Sequence, residues 1–383
     1  MNSDERYMQR ALSLAGRGEC RVTPNPMVGA VIVRGGRIIG EGYHRCCGRE
    51  HAEINALQAA SEPVEGATVY VTLEPCSHYG RTPPCVEALT KHKPARVVIG
   101  TKDPNPLVAG AGIAALERAG IRTTVGVLES RCRALNERFF KYMETGQPFV
   151  TLKFAQTLDG RIATCTGHSR WISSPPSLAF AHRLRSVHDA ILVGAGTVLA
   201  DDPELTVRLV RGRNPLRIVV DGSLRIPSEA RILQDLSTAG TLVAVTERAS
   251  RRKIDQIRRK GADVLQVSKD AAGHVDLYNL FMALGRKGIT SVLVEGGAGV
   301  ITSVLRERLA DRIVVVVAPK IVGRGIEAVG DLGIKKMEDS LGLTWRRIFR
   351  RGDDMIFDGR LRDRPMPPRT PDVLSGNSEN LQK

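Results

Sequence analysis

The sequence has few aromatic residues, which make up only 4% of its 383 positions. A hydrophobic core must therefore be built mainly from aliphatic side chains. No segment approaches the ~18 consecutive apolar residues that a membrane-spanning helix needs, and the polar N-terminal segment lacks the apolar stretch of a secretory signal. These absences predict a cytoplasmic protein that does not bind a membrane.

The cysteine content argues against a protein that is stabilised by a framework of disulfide bonds. The chain has seven cysteines, an odd number, and a reducing cytoplasm disfavours a disulfide framework. The sequence therefore favours two uses for these thiols, which are metal binding and burial as small apolar side chains.

The chain is strongly basic, with 56 Lys and Arg against 41 Asp and Glu and a formal net charge of +15. Such a balance is typical of proteins that bind nucleic acid, anionic membranes or phosphorylated small molecules. The short basic clusters at 251–253, 258–260 and 346–347 are not interleaved with aromatic residues, as a surface for stacking bases would require. We therefore expect a soluble basic protein that prefers anionic ligands and has no nucleic-acid partner.

At roughly 100–200 residues per domain, the length predicts two domains. Strand-like runs alternate with helical segments in both halves, which indicates an α/β fold in each and a largely parallel sheet in the second. We predict domains over 1–146 and 147–362 and a disordered tail over 363–383, which contains four prolines and few apolar residues. The expected strands lie at 28–33, 37–41, 67–73, 96–100, 122–127, 149–154, 190–193, 217–221, 241–245, 263–267, 291–295 and 312–318. The expected helices include 4–18, 51–60, 86–91, 113–119, 130–145, 176–186 and 300–308.

Three short segments of the first half combine into the pattern of a metal site. His51 and Glu53 lie two positions apart at the start of a predicted helix, Cys76 follows a predicted strand, and Cys85 opens the next helix. One imidazole and two thiolates are typical zinc ligands, and three protein ligands leave the fourth position to a catalytic water. Zinc lowers the pKa of such a water toward neutrality, and Glu53 would carry its proton to a leaving amine. The pattern predicts a zinc-dependent deaminase.

One observation leaves an alternative open. In the common form of zinc deaminases two residues separate the cysteines, whereas eight residues separate Cys76 from Cys85. The other interpretation is a closed structural zinc site, which would give Glu53 no role. The candidates for the fourth ligand of that site are His44, Cys46, Cys47 and His78.

Two glycine turns in the second half indicate a nucleotide site. The turn at 296–299 joins the strand at 291–295 to the helix at 300–308, and the turn at 194–197 follows the strand at 190–193. Glycine turns at helix N-termini direct backbone N–H groups at phosphate. Two such turns in one domain favour a dinucleotide cofactor.

Several longer motifs are similar to those of one enzyme family. In the first half they are Thr-Pro-Asn-Pro-Met-Val-Gly at 23–29, His-Ala-Glu at 51–53 and Glu-Pro-Cys-Ser-His-Tyr-Gly-Arg-Thr-Pro-Pro-Cys at 74–85. In the second half they include Thr-Val-Leu-Ala-Asp-Asp-Pro at 197–203 and Val-Glu-Gly-Gly at 294–297. Over about residues 4–360 the sequence resembles the bifunctional deaminase/reductase family of riboflavin biosynthesis, in which eight residues also separate the two cysteines.

The resemblance implies two consecutive reactions. The first removes the 2-amino group of 2,5-diamino-6-ribosylamino-4(3H)-pyrimidinone 5′-phosphate as ammonia. The second reduces the ribosyl side chain to ribityl with NADPH. The resemblance also implies a cytidine-deaminase-like three-layer first domain, a dihydrofolate-reductase-like α/β second domain, a bound Zn²⁺ and a homo-oligomer formed through the second domain.

The resemblance further assigns site residues. Beside the zinc ligands and the catalytic Glu53, the deaminase substrate residues are Asn25, His44, His78, Arg81, Asp103 and Asn105. The simpler alternative for Asn25 and Asp103 is a role in capping a turn. The NADP contacts are Ala155, Trp171, Thr197, Asp201, Ser223, Gly297, Ala298, Gly299, Val300, Ile301, Thr302 and Ser303. The reductase substrate contacts are Ser169, Arg185, Leu205, Arg208 and Glu295, with Lys153 and Asp159 at the nicotinamide end of the cleft.

Two other hypotheses compete with this one. A nucleic-acid or free-base zinc deaminase with an appended module would explain the net charge, but it leaves the second half without a role. A scaffold protein with a structural zinc would explain neither Glu53 nor the motifs of the second half.

Overall fold

The computed structural model describes residues 2–79, 83–105 and 108–362. These residues form two compact α/β units. The first unit holds 2–149, 186–189 and 285–291, and the second holds 150–185, 190–284 and 292–362. Among the described residues, no helix combines the length and the apolar character needed to cross a bilayer. The predicted tail at 363–383 lies outside the described residues.

The first unit is built on a five-stranded sheet. Its strands are β1 (Gly29–Arg34), β2 (Arg37–Tyr43), β3 (Thr68–Val71), β4 (Arg96–Ile99) and β5 (Arg122–Val125), in the order β2-β1-β3-β4-β5. Strand β1 runs antiparallel to β2 and β3, whereas β3, β4 and β5 run parallel. The segments that follow β3 and β4 therefore emerge at the same edge of the sheet, where parallel strands have their carboxyl ends.

Helices cover both faces of this sheet. They are α1 (Ser3–Ala15), α2 (Ala52–Gln58), α3 (Cys85–His92), α4 (Ala111–Arg118), α5 (Glu129–Leu135) and α6 (Glu137–Thr145). Because successive side chains of a strand point to opposite faces, Val31 packs with Met8 of α1 on one face. Ile32 packs with Ala56 of α2 and Leu89 of α3 on the other. The predicted three-layer architecture is confirmed.

The single helix predicted at 130–145 was wrong, because the chain forms α5 and α6 instead. The backbone leaves helical geometry at Asn136, with φ −108° and ψ 25°. The Asn136 side chain is buried and forms two bonds of 2.8 Å with Met27, accepting from its N–H and donating to its carbonyl. These bonds hold the segment before β1 against the break between the helices. Helical periodicity could not reveal a break that depends on a residue so distant in the chain.

The second unit has a nine-stranded sheet. Its strands are β6 (Phe149–Thr157), β8 (Ala190–Gly194), β9 (Leu216–Val220), β10 (Thr241–Val245), β11 (Asp263–Gln266), β12 (Ser291–Glu295), β13 (Arg312–Ala318), β15 (Leu343–Arg351) and β16 (Asp354–Leu361). Their order in the sheet is β11-β10-β9-β8-β12-β6-β13-β16-β15. A separate pair consists of β7 (Arg161–Thr164) and β14 (Gly325–Glu327). The helices are α7 (Pro175–Val187), α8 (Ala195–Asp201), α9 (Arg251–Arg259), α10 (Leu277–Arg286) and α11 (Ala298–Arg306).

Strands β8, β9, β10, β11 and β12 pair with one another in parallel, and β6 pairs with β13 in parallel. Strand β16 is antiparallel to β13, and β15 is antiparallel to β16. The largely parallel sheet is confirmed, but the hairpin β15–β16 and the pair β7–β14 were not predicted. Most residues of β15 are exposed and several are arginines, so this edge strand has no apolar run to indicate it.

The strand order places a ligand site. From β8 the chain adds β9, β10 and β11 on one side, whereas β12, β6 and β13 lie on the other side. Open α/β sheets bind ligands outside the carboxyl ends of the strands where the order reverses. Here that place is between β8 and β12, the two strands that the predicted glycine turns follow.

Candidate active sites

The three predicted zinc ligands converge. His51 is the N-cap of α2, Cys85 is the first residue of α3, and Cys76 lies in the loop after β3. Nδ1 of His51 is 3.5 Å from Sγ of Cys76 and 3.3 Å from Sγ of Cys85. Bonds of about 2.3 Å to sulfur and about 2.0 Å to nitrogen place these atoms roughly 3.5 Å apart in a tetrahedral site. The observed spacing therefore fits a zinc ion.

Three side chains are placed to hold a metal. Across the described residues, the side chains close enough to hold a metal here are His51, Cys76 and Cys85, whose ligand atoms all lie within 4.8 Å of one another. Both ring nitrogens of His44 are engaged elsewhere, with the Glu50 carbonyl at 3.1 Å and Nδ2 of Asn25 at 3.2 Å. Among the described residues, no fourth side chain joins this set, so the closed structural site gains no support, and three ligands would leave one position of a zinc ion to water.

Glu53 lies in the first turn of α2 and is buried. Burial raises the pKa of Glu53 to about 7, and the nearby Cys76 acts in the same direction while His51 opposes it. A carboxyl group with a pKa near neutrality can both take and give a proton at neutral pH. The position and the ionisation of Glu53 suit a proton carrier beside the metal ligands.

A cavity of about 480 Å³ adjoins these residues. Arg81 lies outside the described residues, but the other predicted deaminase substrate residues all line the cavity. They are Asn25, His44, His78, Asp103 and Asn105. The cavity wall also contains residues that the family motifs did not assign to the substrate. Among them are Cys47 and Arg49, which lie between His44 and His51 in the sequence, and Phe139 and Met143 of the distant helix α6.

Asp103 combines its place in the cavity with the capping role that was the alternative for it. Its Oδ1 accepts the backbone N–H of Asn105 at 2.8 Å, which forms a local turn. Burial raises the pKa of Asp103 to about 6. The turn therefore presents a partly buried carboxyl group at the wall of the cavity.

Glu74 is a further residue of this site that the sequence did not reveal. It is buried, and each carboxylate oxygen accepts two backbone N–H groups. The donors are Asp103 at 3.2 Å, Gly110 at 3.0 Å, Gly112 at 3.0 Å and Ile113 at 3.3 Å. A Cβ at Gly112 would lie 2.1 Å from the carbonyl oxygen of Pro75, so only glycine fits there. Glu74 thus connects the segment that carries Cys76 to the loop that carries Asp103. Its place two residues before Cys76 was the only signal in the sequence.

The second unit has a cavity of about 720 Å³ at the switch between β8 and β12. Eight of the predicted NADP contacts line it. They are Thr197, Asp201, Ser223, Gly297, Ala298, Gly299, Val300 and Ser303. Ala155 and Trp171 are not among its lining residues, and Ile301 and Thr302 are buried within α11. Ser169, predicted as a substrate contact, lines this cavity as well.

The two glycine turns pack directly against each other. A Cβ on Gly297, where φ is +75°, would lie 2.7 Å from Oγ1 of Thr197. A Cβ on Gly194 would lie 2.8 Å from the Val300 side chain. Glycine is therefore required at both turns, which bring the N-terminus of α11 next to that of α8. Backbone N–H groups of this kind bind phosphate.

Charged residues form a buried cluster at the end of β12. Glu295 accepts from Nζ of Lys153 at 3.1 Å and from Nε of Arg185 at 2.8 Å. Burial alone would raise the pKa of Glu295, but the charges of Arg185 and Lys153 outweigh it and hold the pKa at about 2. The cluster therefore contains one carboxylate and two cationic side chains, which suits an anionic substrate.

Helix α7 holds the segment that contains Leu205 and Arg208. Arg185 donates to the Thr206 carbonyl at 3.2 Å, and Nδ1 of His182 accepts the backbone N–H of Arg208 at 2.9 Å. Leu205 is buried with φ +55°, and Arg208 donates to the Thr206 hydroxyl at 2.7 Å. His182 was not predicted, because a lone histidine inside a helix gives no signal in one sequence.

His182 is neutral in this arrangement. Burial lowers its pKa to about 4, and the charges of Arg185 and Arg208 act in the same direction. Because Nδ1 accepts a hydrogen bond, the ring proton is on Nε2.

Asp159 organises a turn after β6. It accepts from the Thr157 hydroxyl at 2.5 Å and from the backbone N–H groups of Gly323 at 2.7 Å and Val322 at 3.2 Å. These bonds, led by that of Thr157, lower the pKa of Asp159 to about 2. Its predicted place at the nicotinamide end of the cleft stays a prediction.

Comparison with known proteins agrees with this geometry. Residues 1–101 match the model of the cytidine and deoxycytidylate deaminase zinc-binding region, and residues 148–357 match the RibD C-terminal domain. The riboflavin biosynthesis protein RibD of Aquifex aeolicus is 45% identical over 355 residues, which cover 92% of this chain and 97% of that protein. The RibD protein of Escherichia coli is 42% identical over 368 residues, which cover 92% and 98%.

Solved structures give the same result. The structure of RibD from Acinetobacter baumannii has a TM-score of 0.84 at 36% identity and covers 94% of this chain and 99% of that chain. A diaminohydroxyphosphoribosylaminopyrimidine deaminase/5-amino-6-(5-phosphoribosylamino)uracil reductase from Thermotoga maritima has a TM-score of 0.81 at 36% identity, with the same coverage. Because the likeness extends over nearly the whole chain, the protein belongs to the RibD family of riboflavin biosynthesis and unites a zinc-dependent deaminase with an NADPH-dependent reductase.

Proposed function

We propose that the chain deaminates 2,5-diamino-6-ribosylamino-4(3H)-pyrimidinone 5′-phosphate and then reduces the ribosyl group of the product to ribityl. The observation that carries the proposal is the convergence of His51, Cys76 and Cys85 beside the buried Glu53 at a cavity of about 480 Å³. The family gives the chemistry, and the geometry of this chain supports the assignment of its residues.

We assign the metal to His51, Cys76 and Cys85. Zinc at this place would supply the Lewis acidity that lowers the pKa of a water molecule. Glu53 takes a proton from the water as it attacks C2 of the pyrimidine, and it delivers that proton to the departing amino group. The nitrogen then leaves as ammonia, so Glu53 returns to its starting state. The substrate residues are Asn25, His44, His78, Arg81, Asp103 and Asn105.

We assign the second step to the charged cluster and the cavity between β8 and β12. Bound NADPH would supply a hydride for C1′ of the ribosyl group, and the ring oxygen would need a proton as its bond to C1′ breaks. We assign the donation of this proton to Lys153. Its hydrogen bond to the carboxylate of Glu295 supports this role. Arg185 and Arg208 suit the 5′-phosphate, since a guanidinium binds phosphate in a fork. Ser169 and Leu205 complete the proposed substrate contacts.

We also propose a domain boundary, a cellular location and an oligomeric state. We place the domain boundary at 146/147 and the protein in the cytoplasm. Its seven cysteines all lie in the described residues and form no disulfide bond, which suits a reducing environment. We further propose a homo-oligomer formed through the reductase domain. The hairpin of β15 and β16 supports it, because it exposes Trp345 (44%), Ile348 (48%) and Met355 (37%) at an edge of the sheet. Sedimentation of the full chain tests the oligomer, and a monomer at all concentrations would contradict it.

The substitution Glu53→Gln tests the deaminase assignment. It should abolish ammonia release while the bound zinc content stays unchanged, because Glu53 is not a ligand. Glu62→Gln is the matched control, since the Glu62 carboxylate pairs with Arg37 at the protein surface. Retained ammonia release in the Glu53→Gln protein would overturn the assignment.

A further inference from the structure

Each of the two arginines that we assign to the 5′-phosphate of the reductase substrate is paired with a carboxylate. Arg185 pairs with Glu295, and Arg208 pairs with Glu204. A carboxylate has the same sign of charge as a phosphate, and both groups bind a guanidinium through charged hydrogen bonds. A phosphate that binds these arginines therefore competes with the two carboxylates.

The pair of Arg185 and Glu295 is held closed. The Glu295 side chain is only 8% exposed, and it also accepts from Nζ of Lys153 at 3.1 Å. Arg185 donates to Glu295 from Nε at 2.8 Å and from Nη2 at 2.7 Å, and its Nη1 donates to the Thr206 carbonyl at 3.2 Å. Because breaking a buried pair leaves a charge without its partner, Glu295 is not the carboxylate that yields to a phosphate.

The pair of Arg208 and Glu204 is far more open. The side chain of Arg208 is 50% exposed, and that of Glu204 is 32% exposed. The Arg208 guanidinium donates from one terminal nitrogen, Nη1, both to Glu204 and to the Thr206 hydroxyl. Ion pairs with this exposure are weak, so a phosphate can displace the carboxylate of Glu204 from Arg208.

Glu204 has a second cationic partner. Its other carboxylate oxygen pairs with Arg231, whose side chain is 55% exposed. The backbone of this partner is held in place, because Oδ1 of Asp202 accepts the Arg231 N–H at 2.8 Å. The buried Arg217 donates to the Glu204 carbonyl at 3.4 Å. The backbone is thus anchored on both sides of the pair, and the carboxylate can leave Arg208 and stay with Arg231.

The charges around Arg208 also favour an incoming phosphate. Burial lowers the pKa of Arg208, and the charge of Arg185 acts in the same direction because the two cations repel each other. Glu204 brings one negative charge to Arg208, whereas a phosphate monoester brings up to two. The phosphate therefore compensates the two arginines more fully than the carboxylate does.

We infer that Glu204 is a displaceable counter-ion of Arg208, and that Arg231 retains the Glu204 carboxylate when the 5′-phosphate of the reductase substrate binds. Glu204 lowers the affinity for the phosphate, and Arg231 limits that loss. The two residues therefore act on phosphate affinity in opposite directions. The inference rests on the proposed role of Arg208 as a ligand of the 5′-phosphate, and it adds two residues that no motif of the sequence assigned.

The test measures phosphate affinity without turnover, by calorimetry of the full chain with ribose 5-phosphate. Glu204→Gln should lower the Kd by about 3- to 10-fold, the size expected for one partly exposed charged contact. Arg231→Gln should raise the Kd by about the same factor, because the carboxylate then has only Arg208 as its partner. In the reductase assay, kcat/KM for the dephosphorylated form of the deaminated substrate should not change in either variant.

The double variant shows whether Arg231 acts through Glu204. In the Glu204→Gln background, Arg231→Gln should leave the Kd unchanged, because the carboxylate that Arg231 holds is already absent. Glu229→Gln and Arg258→Gln are the matched controls, since both residues are exposed, lie in the second unit and belong to neither pair. Both controls should bind ribose 5-phosphate like the wild-type chain.

Each contrary result has its own meaning. A higher Kd in Glu204→Gln would overturn the inference, because Glu204 would then orient Arg208 and not compete with the phosphate. An unchanged Kd in that variant, or an equal effect of Arg231→Gln with and without the Glu204 carboxylate, would overturn it as well. If Arg208→Gln left the Kd for ribose 5-phosphate unchanged, the proposed phosphate site would itself be wrong and the inference would fall with it.

Discussion

Glu74→Gln is the substitution that best tests how the deaminase site is held together. The change preserves the size of the side chain but replaces one acceptor oxygen by an NH₂ group. Of the four backbone N–H groups that Glu74 accepts, two would face a donor. A buried N–H without an acceptor costs about 1–3 kcal/mol, so the variant should lose about 2–6 kcal/mol of unfolding free energy.

The assay uses the two activities of one chain. In a domain of this size, 1 kcal/mol shifts the unfolding midpoint by about 2–4 °C. The temperature at which half of the deaminase activity is lost should therefore fall by at least about 4 °C. The deaminase KM should rise at 25 °C, because the loop with Asp103 loses two of the four bonds that Glu74 makes to it and to the start of α4. The reductase activity of the same sample should keep its wild-type midpoint.

Glu62→Gln is the control for this experiment. It removes a carboxylate of the same domain whose ion pair with Arg37 lies at the surface, where such a pair contributes about 0–1 kcal/mol. If Glu74→Gln and Glu62→Gln gave equal midpoints and equal KM values, the four bonds of Glu74 would not hold the substrate loop.

Three further predictions concern the second unit and the metal. His182→Leu should raise the reductase KM for the pyrimidine phosphate about 10-fold, because the Arg208 backbone N–H loses its acceptor. In His182→Asn the side-chain Oδ1 replaces Nδ1 as the acceptor, so its KM should stay near the wild-type value. Equal effects of the two substitutions would refute the positioning role of His182. Folding lowers the pKa of His182 from 6.5 to about 4, so the unfolded chain binds more protons than the folded chain between these pH values. The contribution of neutral His182 to the free energy of unfolding is therefore complete above pH 6.5 and is lost as the pH falls toward 4. Unfolding midpoints measured from pH 7 to pH 4 should therefore fall less in His182→Asn than in wild type. A zinc chelator should stop ammonia release and leave NADPH oxidation with the deaminated substrate intact; loss of both activities together would contradict two separate sites.

The zinc site was predictable because its information is local. His51 and Glu53 lie within one helical turn, and Cys76 and Cys85 flank one loop, so residue types and spacing reveal them directly. The glycine turns after β8 and β12 were predictable for the same reason. The alternation of strands and helices indicated both α/β units without any knowledge of contacts.

The parts that escaped prediction depend on contacts across the chain. Glu74 and His182 act by accepting backbone N–H groups from segments 26 to 39 residues away, and one sequence carries no signal for such pairs. The break between α5 and α6 lies at Asn136, whose side-chain amide forms two hydrogen bonds with the backbone of Met27. The strand β15 lacks an apolar run because it lies at an edge, so the hydrophobic pattern did not reveal it.

The central claim is that one chain performs two consecutive reactions at separate sites, and one measurement tests it most directly. The Glu53→Gln chain is supplied with NADPH and, in parallel samples, with the diamino substrate or its deaminated product. The account predicts that the diamino substrate yields neither ammonia nor NADP, while the deaminated product is reduced at the wild-type rate. Reduction of neither compound, or ammonia release from the first, would contradict the account.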